Sequence, residues 1–316
     1  MKADDFTLNI LGCGSAMPTK QHQPSCQVVN HRETLYMIDC GEGAQLMFRR
    51  MCLKFSRLRH IFISHLHGDH CFGLPGLLST MALQEVGGKV SIHIHERGAE
   101  IFSKTLQAFC HDFPFNIEWD IITPGSAYTL LDTDSLSVET FPLDHKMASN
   151  GFLFREKPKP RHIIGDMVEF HKVPLTERTA LKEGKDFVTE DGRVIANHLL
   201  TTDADPSVSY AYCSDTRPTK SVVEAVKGVD WLYHEATYAD DMAAMASKYA
   251  HSTARQAAEI AAEAHVGKLI IGHFSKRYTT PDLLLKQAKE VFPNVMAADE
   301  GMKIDLGNGK VRMAKH

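Results

Sequence analysis

Six residues constrain this chain more than any others: His65-Leu66-His67-Gly68-Asp69-His70. They follow directly on Ile61-Phe62-Ile63, which reads as a short buried strand, so they occupy a strand end and turn at Gly68. Four of the six are potential metal ligands. In extended backbone His65 and His67 point the same way, because side chains repeat with period two; Asp69 and His70 then turn to a second side. Imidazole with carboxylate suits zinc, and manganese and iron are compatible with the same set. One loop cannot complete two coordination spheres, so further ligands are expected at other strand ends. Three residues stand in such places: His145 after Phe141-Pro142-Leu143-Asp144, Asp215 after Tyr212-Cys213-Ser214, and His273 after Ile270-Ile271-Gly272.

The rest of the chain predicts strands alternating with helices. Strands are expected at Thr7–Leu11, Val28–Val29, Leu35–Ile38, Val90–Ile94, Leu136–Phe141, Tyr210–Cys213, Trp231–Tyr233 and Leu269–Ile271, and a helix over Ala44–Leu53. Thr253 with Gln256 three residues on is a capping-box signature for an Ala-rich helix expected to end at Gly267. The pattern implies an α/β layered fold. About 155–200 differs, with Pro158, Pro160 and Pro174, mixed charges and weak periodicity, and reads as an arm inserted into a single domain spanning 1–316. The alternative is an ordinary long loop with a hairpin at Asp191-Gly192.

Composition removes several function classes. No apolar run approaches the ~18 residues of a membrane helix, and Met1-Lys2-Ala3-Asp4-Asp5 carries acid where a signal peptide carries base, so a cytoplasmic protein is expected. Seven Cys stand apart with no CxxC, which disfavours a disulfide framework or a Cys-based zinc ribbon. A net charge of −4 confines any nucleic-acid contact to local basic patches. One such patch is Arg49, Arg50, Lys54, Arg57 and Arg59, with no acid between Gly43 and Gly68. Another is Arg155–Lys185, where eight Lys/Arg face five acids.

These motifs together resemble the metallo-β-lactamase superfamily and, within it, the tRNA 3′-processing ribonuclease Z branch. The resemblance runs over nearly the whole chain. It rests on Leu11-Gly12-x-Gly14 with Pro18-Thr19-Lys20, Ile38-Asp39-Cys40-Gly41-Glu42, the His65 loop, Ser214-Asp215-Thr216-Arg217, His234-Glu235-Ala236-Thr237, His251-Ser252-Thr253 and His273-Phe274-Ser275-Lys276-Arg277-Tyr278. It implies an αβ/βα sandwich with two zinc ions per chain, manganese being an alternative. It assigns His65, His67 and His145 to one ion and Asp69, His70 and His273 to the other, with Asp215 bridging. Two zinc ions against two aspartates leave a positive balance, which suits a phosphodiester anion.

The same resemblance implies catalytic roles for Asp69, Glu235 and His251. Asp69 would orient the nucleophile and take its proton; Glu235 would polarise His251 as proton donor to the leaving oxygen. Lys20, Arg277 and the arm's Lys157, Lys159, Arg161 and Lys172 are candidate substrate contacts. The implied activity is endonucleolytic removal of the 3′ trailer from precursor tRNA, leaving a 3′-hydroxyl, by a cytoplasmic homodimer. Two departures stand out. Lys20 is followed by Gln21-His22-Gln23 where the family often has Arg-Asn, and the arm reads Lys172-Val173-Pro174-Leu175 in place of a Gly-Pro signature. Alternatives are a zinc hydrolase of a small phosphodiester or other ester, and a non-catalytic RNA-binding homologue.

Overall fold

The computed structural model describes residues 6–110 and 113–314; the acidic start at residues 1–5 lies outside them. The chain divides into two compact units, one of Met1–Leu131, Val138–Phe154 and Ser209–His316, the other of Asp132–Ser137 and Arg155–Val208.

Two sheets carry the first unit. The first has eight strands in the spatial order Val311–Met313, Met302–Asp305, Phe6–Gly12, Cys26–His31, Thr34–Ile38, Leu58–Phe62, Gly88–Ile94 and Phe115–Ile121. Phe6–Gly12, Cys26–His31 and Thr34–Ile38 pair antiparallel, and the sheet then turns parallel from Thr34–Ile38 to Phe115–Ile121. Parallel neighbours need crossovers. The helices Ala44–Arg50, Leu74–Leu83 and Glu96–Phe109 lie in those crossovers, and their buried faces share one core with the strands, including Phe48, Leu74, Leu77, Phe102 and Ile92. The second sheet has the order Val295–Ala297, Lys268–Gly272, Trp231–Glu235, Ser209–Cys213, Ser149–Glu156, Leu136–Leu143 and Tyr128–Asp132, parallel through its first four strands. Ser209–Cys213 and Trp231–Glu235 are buried at every position, as strands covered on both faces are.

The sheets face each other through large apolar side chains. Phe62 meets Phe152 with ring centroids 5.3 Å apart, and Phe154 meets Tyr36 edge-on at 6.1 Å. Full burial of each such side chain stabilises by about 1.5–3 kcal/mol. The result is the αβ/βα sandwich that the sequence implies.

Several element ends differ from expectation. Trp231–Glu235 runs on through His234 and Glu235, because these remain in register with Ile271 and Gly272 of the next strand. The strand before the metal loop is Leu58–Phe62, and Ile63 lies beyond it. The first helix stops at Arg50, two residues before Cys52 takes a left-handed φ of 55°. The capping box at Thr253 and Gln256 is formed, and such a cap is worth ~1 kcal/mol. That helix is Ala254–Glu263 and ends short of Gly267, with His265 at a left-handed φ of 54°.

The second unit has its own small core of Val168, Val173, Leu181, Phe187, Ile195 and Leu200. It contains the hairpin Phe187–Val188 with Val194–Ile195, turned at Gly192 with φ 80°.

Candidate metal centre

The C-terminal ends of five strands supply the site. His65, His67, Asp69 and His70 follow Leu58–Phe62; His145 follows Leu136–Leu143; Asp215 follows Ser209–Cys213; Glu235 ends Trp231–Glu235; His273 follows Lys268–Gly272. Close backbone packing sets the first loop. Cys40 donates its N–H to His70 O at 2.7 Å, and Gly73 donates to Cys40 O at 2.8 Å. A Cβ on Gly41 would stand 2.5 Å from Asp69 O, and one on Gly73 would stand 2.1 Å from Gly41 O. Only glycine permits these approaches.

The seven residues converge in two groups. His65, His67, His145 and Asp215 form one, and Asp69, His70 and His273 the other. Asp215 reaches both: Oδ2 lies 3.5 Å from His65 Nε2 and 3.7 Å from His145 Nε2, whereas Oδ1 lies 3.5 Å from His70 Nε2 and 3.2 Å from His273 Nε2. Nitrogens also crowd one another, with His65 Nε2 3.0 Å and His145 Nε2 3.2 Å from His67 Nδ1, and His70 Nε2 3.3 Å from His273 Nε2. A tetrahedral ion with bonds of 2.0–2.1 Å has ligand–ligand edges of about 3.3 Å. Asp215 Oδ1 is buried and makes no hydrogen bond, and a cation between it and the His70 and His273 nitrogens would satisfy it. The residues therefore fit a pair of metal ions.

The far side of four of the five imidazoles is held as well. His70 Nδ1 is 2.8 Å from Asp39 Oδ2, His145 Nδ1 donates to Ala250 O at 2.8 Å, and His273 Nδ1 lies 2.9 Å from Thr237 Oγ1. Ser64 Oγ stands 3.0 Å from His65 Nδ1. Such partners fix which ring nitrogen is free to coordinate. Asp39 is the hub: it accepts from the Ser64 N–H at 2.8 Å, the Ser64 hydroxyl at 3.0 Å and the Tyr212 hydroxyl at 2.8 Å. Tyr212 belongs to the second sheet, so this buried carboxylate ties the sheets together beneath the site.

Electrostatics follow the geometry. Burial, with His70 beside it, pulls His65 down to about 4, which keeps it in the neutral form that binds metal. Burial raises the Asp215 carboxyl, but the imidazoles of His273 and His70 outweigh it and hold it well below the usual range. Burial also lowers His70, yet Asp215, Asp39 and Asp69 together raise it. A field that draws a proton there draws a metal cation equally.

One further pair borders the candidate ligands. His251 Nδ1 is 2.8 Å from Glu235 Oε1, and 3.9 Å from Asp215 Oδ2. Glu235 is fully buried and saturated: Oε1 also accepts from the Thr216 and Ser252 N–H groups, both at 3.1 Å, and Oε2 from the Thr237 N–H at 3.1 Å and hydroxyl at 2.7 Å. Burial opposes protonation of His251, but the Glu235 carboxylate outweighs it and pushes the imidazole up to about 9. His251 lines a cavity of about 510 Å³ together with His67, Asp69, Asp215 and His273.

Curated relatives match this architecture end to end. Ribonuclease Z of Bacteroides fragilis is 50% identical over 305 residues, covering 96% of this chain and 100% of that protein. Ribonuclease Z of Porphyromonas gingivalis is 47% identical over 95% of this chain and 99% of its own length. The chain belongs to the ribonuclease Z family. Human tRNase Z, short form, superposes with a TM-score of 0.70 at 25% identity, covering 95% of this chain and 99% of that one. The long-form RNase Z from yeast superposes at 0.64 and 18% identity, over 97% of this chain and 42% of that one, a likeness of fold. Residues 6–171 match the family model described as Anti-Pycsar protein Apyc1. That stretch holds the His65 loop and His145 but ends before Asp215, Glu235, His251 and His273.

Measured against this ribonuclease Z frame, the structure gathers the seven ligand candidates and the Glu235–His251 pair but not the basic candidates. Lys20, Arg277 and Lys172 are exposed, and none of the three lines the cavity. Within the second unit Lys157 pairs with Asp132 at 2.7 Å, Lys159 with Glu156 at 2.7 Å and Arg161 with Asp203 at 2.7 Å. Asp132 and Asp203 lie outside Arg155–Lys185, so counting over that stretch misses them and the free basic excess there is smaller than the count suggests. Asp39, Ser64 and Thr237 emerge only here. Two of them stand inside motifs quoted above, and what marks all three is a buried polar residue just past the end of an apolar strand.

Proposed function

We propose that this chain hydrolyses one phosphodiester of precursor tRNA, removing the 3′ trailer and leaving a 3′-hydroxyl on the tRNA. It is a metal-dependent endoribonuclease, and we assign it two zinc ions. The observation that carries the reading is Asp215, whose two oxygens face two separate imidazole groups while His251, polarised by Glu235, stands 3.9 Å away. His65, His67 and His145 would hold one ion, Asp69, His70 and His273 the other, and Asp215 both. Ions bound there supply Lewis acidity, lowering the pKa of water from 15.7 to about 7 and neutralising phosphoryl charge.

The chain's own residues do the rest. Asp69 lies at the cavity wall, orients the attacking water and accepts its proton. His251 has Nδ1 engaged by Glu235, so Nε2 is the nitrogen that faces substrate. As the bond from phosphorus to the tRNA 3′-oxygen breaks, His251 gives that oxygen its proton, and the trailer departs with the phosphate. Thr237 links Glu235 to His273, so proton donor and ligand set share one framework.

The second unit serves as the arm that positions the tRNA, with Lys20, Arg277, Lys157, Lys159, Arg161 and Lys172 as candidate phosphate contacts. Among the described residues no helix is long and apolar enough to cross a membrane. The family resemblance supports a cytoplasmic homodimer. The deciding experiment incubates the purified protein with a trailer-bearing precursor tRNA and maps the cut and its end groups. A cut at the mature 3′ end with a 3′-hydroxyl is expected. Intact precursor, alongside turnover of small phosphodiesters, would overturn the tRNA assignment.

A further inference from the structure

Asp69 Oδ2 accepts one backbone hydrogen bond, from the Ala16 N–H at 2.7 Å. Ala16 has a left-handed φ of 65°, a conformation that a non-glycine residue keeps only when its surroundings impose it. The surroundings are a loop, residues 13–23, closed at its base. Gly14 donates to Gln23 O at 2.9 Å, and Ser15 donates to Phe274 O at 3.0 Å, one residue past the ligand His273.

Glu300, in the turn between Val295–Ala297 and Met302–Asp305, closes that base from outside. Its Oε1 accepts from the Cys13 N–H at 3.1 Å and the Gln23 N–H at 2.9 Å, the two stems of the loop. Its Oε2 stands 2.8 Å from His22 Nδ1. Both side chains are nearly enclosed, at 10% and 12% exposure, so this is no solvent-screened surface pair.

We propose that Glu300 is a positioning residue for Asp69: one carboxylate staples both stems of the loop and so holds the Ala16 N–H on the metal-binding oxygen. The inference rests on the reading of Asp69 as a metal ligand, and not on tRNA being the substrate. A bond to a ligand's own oxygen orients it and tunes its donor strength, and losing such a partner costs roughly 10- to 100-fold in metal affinity or activity. Cys13, His22 and Glu300 also lie close enough to one another to hold a metal themselves. Both oxygens of Glu300 are already occupied by donors, however, in contrast to the orphaned Oδ1 of Asp215.

The test compares E300A with E300Q. Glutamine keeps an oxygen for both stem N–H groups, and its amide can donate to His22 Nδ1, so it restores the staple without the charge. In E300A, turnover of a small activated phosphodiester and affinity for the more weakly held metal should each fall about 10-fold or more. The visible spectrum of the cobalt-substituted protein should change as well. E300Q should stay within a few-fold of the parent in all three readouts. The proposal is overturned if E300A loses only thermal stability while turnover, metal affinity and spectrum hold. Equal damage in both variants, or a third metal equivalent lost with Glu300, also overturns it. Should E300A fail to fold, H22A removes one contact of the staple and carries the same test at smaller amplitude, with unchanged metal affinity as the refuting result. A protein that turns over small diesters but not tRNA leaves this proposal standing while the tRNA reading falls.

Discussion

Replacing Glu235 by Gln removes one charge and almost no volume, and the structure sets what should follow. Five donors converge on this carboxylate: His251 Nδ1 and the Thr216 and Ser252 N–H groups on Oε1, and the Thr237 N–H and hydroxyl on Oε2. An amide can turn its oxygen toward only one set. Its best orientation keeps the three donors on Oε1 and sets an NH₂ against the Thr237 N–H. Leaving that buried group unpaired costs about 1–3 kcal/mol of stability. The larger effect is on His251. Burial alone pulls this imidazole down, and the Glu235 carboxylate is what pushes it up to about 9. Asp215 Oδ2 lies 3.9 Å from His251 Nδ1, so cations held by Asp215 would lower that value again.

A proton donor is lost as pH rises through its pKa, so E235Q should move the alkaline limb of kcat/KM to lower pH. The sign for stability agrees. A pair that raises a histidine's pKa contributes fully below its ordinary value near 6.5 and loses that contribution as pH rises through about 9. General acid catalysis is worth roughly 10²–10⁴-fold, about 3–5 kcal/mol of barrier. Single-turnover cleavage of precursor tRNA should therefore slow by ~10²-fold or more at the alkaline end. A phosphodiester with a p-nitrophenol leaving group, which needs no proton, should lose only a few-fold. An unmoved alkaline limb, or equal loss on both substrates, would refute the role of His251 as donor.

Three further outcomes follow. E235A, H251A and the double variant should be impaired to similar extents with metal content intact; additive losses in log rate would show two independent functions. D215A removes both bridging oxygens, so metal analysis should find about one equivalent lost together with activity; full metal content would exclude the bridge. Excising the arm cleanly means replacing 158–206, because Ser207 Oγ donates to Lys157 O at 3.0 Å and a cut within 163–182 would remove Val168, Val173 and Leu181 from that unit's core. A short Gly/Ser linker there should raise KM for precursor tRNA, more steeply at high salt. Turnover of small phosphodiesters should not change, and equal loss on both substrates would mean that the segment supports the fold.

The clustering of the candidate ligands is legible in the sequence because each follows a short apolar run that stops abruptly, and strand ends are where an α/β sheet exposes side chains to a site. Ends of elements are less legible. His234 and Glu235 are polar and read as the stop of a strand, yet the ladder to Ile271 and Gly272 carries both. The first helix and the helix after Thr253 are each followed, two residues on, by a left-handed residue, Cys52 and His265, with no glycine to announce it. The supporting residues are illegible for another reason. Asp39, Thr237 and Glu300 matter through partners 31, 36 and 287 positions away along the chain, and no local pattern encodes such distances. The basic candidates of the arm fail in the opposite direction: composition finds them, but only coordinates reveal that Asp132, Glu156 and Asp203 already neutralise three of them.

The two sheets each contribute candidate ligands, and the order in which the ribosome delivers them has a consequence. His65 to His145 emerge early, but Asp215, Glu235 and His273 come from the ends of the second sheet's parallel strands, His251 from the loop between the helices Ala243–Tyr249 and Ala254–Glu263, and Glu300 later still. Until Lys268–Gly272 has docked beside Trp231–Glu235, the group of Asp69, His70 and His273 lacks one of its imidazoles. A nascent chain is then a fold in waiting with no competent hydrolytic site. The second candidate group is complete only once Lys268–Gly272, near the end of the chain, has joined the second sheet.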